Sequence, residues 1–216
     1  MPASELLRGI IAIIAGYLLG SFPTAYLITR LLTGRDIRHL GGGNVGGLNT
    51  FREVGVLPGL AVVLIDIGKG TAAVALAYWT LVLPQPWVLG AALAAIASHN
   101  WMVWLKFNGG KGAGTTIGAV SVLLPVYGYW PGLLILFAIM AIPLAVTRNI
   151  SLAVGFGLVA LPFIAWLGMA SGWLVIWSVA LGLLMAIRFY PTARRAWVKT
   201  GNAHGIIYDK WRRDKR

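Results

Sequence analysis

Lys106-Phe107-Asn108-Gly109-Gly110-Lys111-Gly112-Ala113-Gly114-Thr115-Thr116 is a polar run set between two long apolar segments. His99 and Asn100 stand about two helical turns upstream of it. Four glycines around Lys111 leave backbone N–H groups uncovered by side chains, and such a loop can cradle a phosphate with the lysine as counter-charge. The spacing is not that of a Walker A loop. Taken alone, the run also reads as a flexible hinge between two membrane helices. The rest of the chain decides between the two readings.

Hydrophobic residues make up 58% of the 216-residue chain, charged residues 11%, and mean hydropathy is +0.79, which excludes an ordinary soluble domain. At about 20 residues per crossing, six to eight spans fit in one domain. The chain has no cysteine, so disulfides, thiol nucleophiles and thiolate metal sites are excluded. Histidines at 39, 99 and 204 lack metal-ligand spacing, so no metal site is expected. No cofactor is expected either. The net charge of +12 is read as topology and anionic headgroups, not nucleic acid. A cleaved signal peptide is not expected, because the first apolar run is too long and lacks an A-x-A site.

Outward from the loop, seven apolar segments follow one another: 6–32, with Pro23 kinking it, 58–83, 87–105, a shorter 113–124, 132–146, 152–167 and 173–187. The expected fold is therefore all-α, a single transmembrane domain over 1–190 with a basic tail over 191–216. Sixteen of the 18 basic residues fall in the loops at 33–57, 106–112 and 147–151 or in the tail, counting Arg30 and Arg188 at their edges. The turns at 84–86, 125–131 and 168–172 carry none. Seven spans put all sixteen on one side, so the N-terminus is expected outside and the C-terminus in the cytoplasm. An even number would scatter them.

The three polar stretches then share one face. They offer glycine amides, the cations Arg52, Lys111 and Arg148, and the small donors Asn44, Asn49, Thr115 and Ser151, the inventory of a phosphate site. Ordinary positive-inside loops are the alternative, but six glycines within 41–55 exceed what a solvated loop needs. The expected phosphate-binding residues are Asn44, Arg52, Gly109, Gly110, Lys111, Gly112, Thr115, Arg148 and Ser151. His99 has a side chain suited to proton transfer and, with Asn49, forms the expected catalytic set; a structural hydrogen bond is the other reading of His99. Asp66 and Lys69, at i,i+3, are expected to neutralise each other as a structural pair.

Four motifs in order carry a family resemblance. They are Gly20-Ser21-Phe22-Pro23-Thr24-Ala25-Tyr26; Gly41–Arg52 followed by Leu64-Ile65-Asp66-Ile67-Gly68-Lys69-Gly70; His99 with Lys106–Gly112; and Arg148-Asn149-Ile150-Ser151-Leu152. The chain resembles the bacterial membrane acyltransferases that move a fatty acyl group from acyl-phosphate to the sn-1 hydroxyl of glycerol 3-phosphate. The resemblance implies seven helices, a site on the cytoplasmic side of the bacterial cell membrane, and lysophosphatidic acid as product in phospholipid biosynthesis. It places Arg52, Lys111 and Ser151 at the family's phosphate-binding positions. Two positions depart from the family's GSGNxGATN pattern: Gly42 stands for the serine and Leu48 for the threonine. The family's HRxN-like tail element is replaced by Arg188-Phe189-Tyr190-Pro191-Thr192-Ala193-Arg194-Arg195.

Other readings stay open at this point: a paralogue acylating another polyol phosphate, a non-catalytic protein binding lipid or acyl-phosphate, or a small transporter. A transporter should show internal repeats, and none is visible. The expected partners are acyl-phosphate, glycerol 3-phosphate and membrane lipids. The oligomeric state is open, and a monomer is compatible with everything above.

Overall fold

The computed structural model describes residues 2–200, and every regular element among them is helical. The tail cations Lys210, Arg212, Arg213, Lys215 and Arg216, together with His204, lie outside the described residues. The chain forms two compact units, the first ending at Leu123 and the second starting at Leu124.

The first apolar segment is broken by Pro23 into α1 (Ala3–Ser21) and α2 (Thr24–Thr33). Proline has no N–H to donate, and a helix ends most readily just before it. At the break, the Phe22 carbonyl accepts from the Thr24 N–H at 2.9 Å and from Lys69 Nζ at 2.7 Å. The polar, glycine-rich stretch beyond Gly34, expected as a loop, contains a short helix, α3 (Gly47–Glu53). Next come α4 (Val56–Ala75), prolonged by a π-helical turn over Leu76–Thr80, and α5 (Gln85–Asn100).

Small residues set the helix spacing in this unit, as they do wherever lipid-soluble helices need close backbone approach. Gly16 and Gly20 of α1 lie against the Ala91 and Ala95 carbonyls of α5. The fourth apolar segment is α6 (Ala113–Val126), where Gly118 meets the Ile67 carbonyl of α4, and Gly70 of α4 in turn meets the Thr115 carbonyl. At the other end of α1, Trp87 Nε1 donates to Glu5 Oε1 at 3.3 Å, and Arg8 donates to the Leu81 carbonyl at 3.1 Å.

In the second unit α7 (Pro131–Thr147) packs against α8 (Ile150–Met169), and α8 against α9 (Gly172–Thr200). Tyr129 fills the space left by Gly132 and Gly168. The expected turn at 147–151 is present. Thr147 Oγ1 donates to the Pro143 carbonyl at 2.6 Å, Arg148 takes a left-handed conformation, and the Asn149 side chain caps α8 by accepting from the Leu152 N–H at 3.2 Å.

Five segments are long and apolar enough to cross a bilayer: Ala3–Thr33, Val56–Thr80, Gln85–Leu105, Ile150–Met169 and Gly172–Arg195. The other two apolar helices, Ala113–Val126 and Pro131–Thr147, are shorter. Their broad apolar surfaces, with Leu64, Leu134, Phe163 and Trp166 all exposed, are those of a multi-pass membrane protein.

Candidate active site

The first polar loop is built from its own sequence. Gly34 ends α2 in the left-handed conformation, and Asp36 caps a short 3-10 turn at Ile37–His39. Asp36 also pairs with Arg38 at 2.6 Å, and the guanidinium beside it holds the Asp36 carboxyl below the usual carboxylate range. Arg38 further lies over the Tyr26 ring and donates to the Leu105 carbonyl at 3.4 Å, tying this loop to the segment before the glycine run. Beneath it, Ile37, Leu40 and Val45 pack with Ala25, Val62, Met102 and Leu105 in a small apolar core. The loop therefore has a defined shape.

Asn49, on the first turn of α3, holds that shape. Its Nδ2 donates to the Leu40 carbonyl at 3.0 Å, and its Oδ1 accepts from the Gly42 N–H at 3.3 Å. Gly41 and Gly43 have φ of +53° and +69°, a region open to glycine without strain. Asn44 is half-buried within this loop, and Arg52 is half-buried on α3.

The second polar loop arrives by a strained route: Lys106 and Phe107, neither of them glycine, have φ of +55° and +60° in succession. Gly109 then lies against the His99 and Asn100 carbonyls, and the Gly110 N–H donates to the His99 carbonyl at 2.9 Å. A side chain at Gly110 would meet His99 Nε2 and the Val45 carbonyl. Gly110 is thus where the two polar loops and His99 converge. Lys111 and Gly112 follow, and α6 starts at Ala113. The first turn of α6 presents amides with no intrahelical partner, and the Thr115 and Thr116 hydroxyls, buried there, make no hydrogen bond among the described residues. This arrangement suits an anion.

Below the loop, Lys69 Nζ pairs with Asp66 Oδ1 at 2.6 Å, as expected, and both are about 5% exposed. Unexpected from the sequence, His99 Nδ1 lies 3.8 Å from the same Asp66 oxygen. Of the expected site residues, Asn44, Asn49, Arg52, Asp66, Lys69, His99, Gly109, Gly110, Lys111, Gly112 and Thr115 belong to the first unit. Arg148 and Ser151 belong to the second, at the α7–α8 turn.

An apolar, multi-pass helical chain whose buried charges and glycine loops meet beside a helix N-terminus is an integral membrane protein with a polar site among its helices. The family model for glycerol-3-phosphate acyltransferase matches residues 10–199, and the chain belongs to that family. It is 51% identical to glycerol-3-phosphate acyltransferase 1 of Dehalococcoides mccartyi, over 94% of this chain and 97% of the relative. It is 38% identical to that organism's glycerol-3-phosphate acyltransferase 2, over 96% and 97%. The fold matches the crystal structure of PlsY, an integral membrane glycerol 3-phosphate acyltransferase, in its glycerol 3-phosphate form. That match has a TM-score of 0.78 at 24% identity and covers 93% of this chain and 99% of PlsY. The family resemblance carried by the four motifs is borne out.

Proposed function

We propose that the chain transfers a fatty acyl group from acyl-phosphate to the sn-1 hydroxyl of glycerol 3-phosphate, giving lysophosphatidic acid on the cytoplasmic side of the membrane. Its membership of the acyltransferase family, with 51% identity across nearly the whole of a relative of that name, favours glycerol 3-phosphate over another acceptor and an enzyme over a transporter. The observation that carries the site is the convergence at Gly110 of the Val45 carbonyl, His99 and the approach to the α6 N-terminus.

The chemistry asks little of the protein beyond placement. The acceptor hydroxyl oxygen attacks the acyl carbonyl, the bond from that carbon to the phosphate oxygen breaks, and inorganic phosphate leaves. The hydroxyl proton ends on the departing phosphate, so neither a covalent enzyme intermediate nor a protein base is required. What remains is to orient two phosphate-bearing reactants and offset their charge. Lys111, the loop amides and the start of α6 serve one phosphate, and Arg52 supplies a further cation. Seven crossings, with the α6 and α7 helices as the two short ones, put these loops in the cytoplasm beside the apolar acyl chain.

The test is transfer by purified protein with acyl-phosphate, acyl-CoA or an acyl carrier thioester as donor, and with glycerol 3-phosphate or other polyol phosphates as acceptor, products being read by mass spectrometry. Acyl-phosphate with glycerol 3-phosphate should give lysophosphatidic acid and phosphate in equal amounts. Transfer from the thioesters alone would overturn the donor assignment.

A further inference from the structure

We propose that Asp66 is a positioning residue for the transfer, acting through His99 on the backbone of the glycine loop. The inference rests on the reading of that loop as a phosphate site.

An ion pair between residues three apart on one helix needs no third group, and Lys69 already has a second acceptor in the Phe22 carbonyl. Yet Asp66 Oδ1 also faces His99 Nδ1 at 3.8 Å, and the ring is 3% exposed. A carboxylate 3.8 Å away lies beyond hydrogen-bond range, and it acts on the orientation of a buried imidazole through its charge. The ring's opposite edge, Nε2, occupies the space a side chain at Gly110 would need. The Gly110 N–H donates to the carbonyl of the same histidine. His99 thus meets the start of the loop by both its backbone and its ring, with the Asp66 carboxylate facing the ring's other nitrogen.

The same aspartate reaches the other end of the loop directly. Gly114, in the first turn of α6, lies against the Asp66 side chain, because the glycine contacts between α4 and α6 bring those helices to backbone distance. Asp66 therefore brackets the residues 110–114, between which Lys111 and Gly112 lie. The amide directions of an anion-binding loop depend on that spacing. Loosening it should weaken capture of a phosphate-bearing substrate more than it slows transfer within the bound complex.

The experiment uses the full chain in detergent and reads KM for glycerol 3-phosphate, kcat, the dissociation constant for glycerol 3-phosphate by calorimetry, and melting temperature. The variants are Asp66→Glu, Asp66→Asn with Lys69→Met, His99→Asn, each Asp66 variant combined with His99→Asn, and Lys111→Ala. Asp66→Glu keeps a counter-charge for Lys69 but moves the carboxylate, and Asp66→Asn with Lys69→Met removes both charges together. Each should melt near the parent protein yet raise KM and the dissociation constant about ten- to a hundredfold, with a smaller fall in kcat. Adding His99→Asn should cost little more, since the carboxylate that faces the histidine has already been moved or neutralised. A folded Asp66→Asn, Lys69→Met variant with parental KM, beside a Lys111→Ala variant with raised KM, would leave the loop as the phosphate site and overturn the role of Asp66. Losses that multiply on combination would do the same. Parental KM in Lys111→Ala as well would remove the loop reading and the inference with it. Should both Asp66 variants unfold, His99→Asn decides: it leaves Asp66 and Lys69 paired, and a parental KM in it overturns the proposal.

Discussion

At the scale of single residues, shape and charge have separate carriers. Asn49 is buried, its Nδ2 donating to the Leu40 carbonyl and its Oδ1 accepting from the Gly42 N–H, so it ties the two ends of the glycine run together. Lys111→Ala and Arg52→Ala should each weaken use of phosphorylated substrates by roughly 1.5–3 kcal/mol, the scale of a hydrogen bond to a charged group. Lys210→Ala, in the tail, should change the same steady-state parameters little. Equal effects at all three positions in folded protein would remove Lys111 and Arg52 from the site. Gly42 is exposed with open space where a side chain would begin, so Gly42→Ser should fold like the parent. With Leu48→Thr it should raise glycerol 3-phosphate turnover by at most a neutral hydrogen bond each, about 0.5–1.5 kcal/mol. Asp36 supplies a pH-dependent term. Its carboxyl is held below its ordinary value by Arg38, so the pair's contribution is complete above the unfolded-state carboxylate pKa and fades as pH falls through the folded-state value. Asp36→Asn should thus lower neutral-pH stability by no more than about 1 kcal/mol, and the gap to the parent should close in acid. A gap that widened in acid would contradict this.

At the scale of elements, the break between α1 and α2 and the charge pair on α4 are one construction. Pro23 was legible as a kink, and Asp66 and Lys69 as a pair, because each signal is local in sequence. That the lysine serves the Phe22 carbonyl at the break was not legible, since nothing in either segment encodes which helices become neighbours. The proximity of Asp66 and His99 was hidden for the same reason. The α3 helix was missed because it is only seven residues long and opens at Gly46-Gly47, which reads as loop. Its stability comes from packing, with Gly59 of α4 lying against the Phe51 backbone. The construction predicts an asymmetry. Asp66→Asn alone strands a buried ammonium and should cost about 3–5 kcal/mol of stability, and Lys69→Met alone strands the carboxylate at a similar cost. Together they should cost markedly less, as thermal melts in detergent would read. Additive losses would mean the pair is not the unit of stability.

At the scale of the whole molecule, the helical character of the apolar segments was legible, and the crossing count is where length intervenes. All seven apolar segments read from the sequence are helices, but the α6 helix has 14 residues and α7 has 17. At 1.5 Å per residue they reach only about 21 and 26 Å, against a hydrocarbon core of about 30 Å. Two arrangements follow. In one both helices cross a locally thinned bilayer, with Tyr127, Tyr129 and Trp130 at the far interface, giving seven crossings. In the other they form a hairpin that enters and returns, giving five. Both counts are odd, so both place the C-terminus on the side of the polar loops, and the basic residues alone cannot separate them. The turn at 127–130 can. The chain has no cysteine, so a single introduced thiol reports its own side without background. Trp130 is exposed, and Trp130→Cys should react with a membrane-impermeant thiol reagent on intact cells. A cysteine added after Arg216 should react only once the membrane is opened. Reaction of both thiols only after opening would establish the hairpin and five crossings. Reaction of the C-terminal thiol on intact cells would overturn the cytoplasmic placement of the loops, and with it the supply of a cytoplasmic phosphorylated substrate to them.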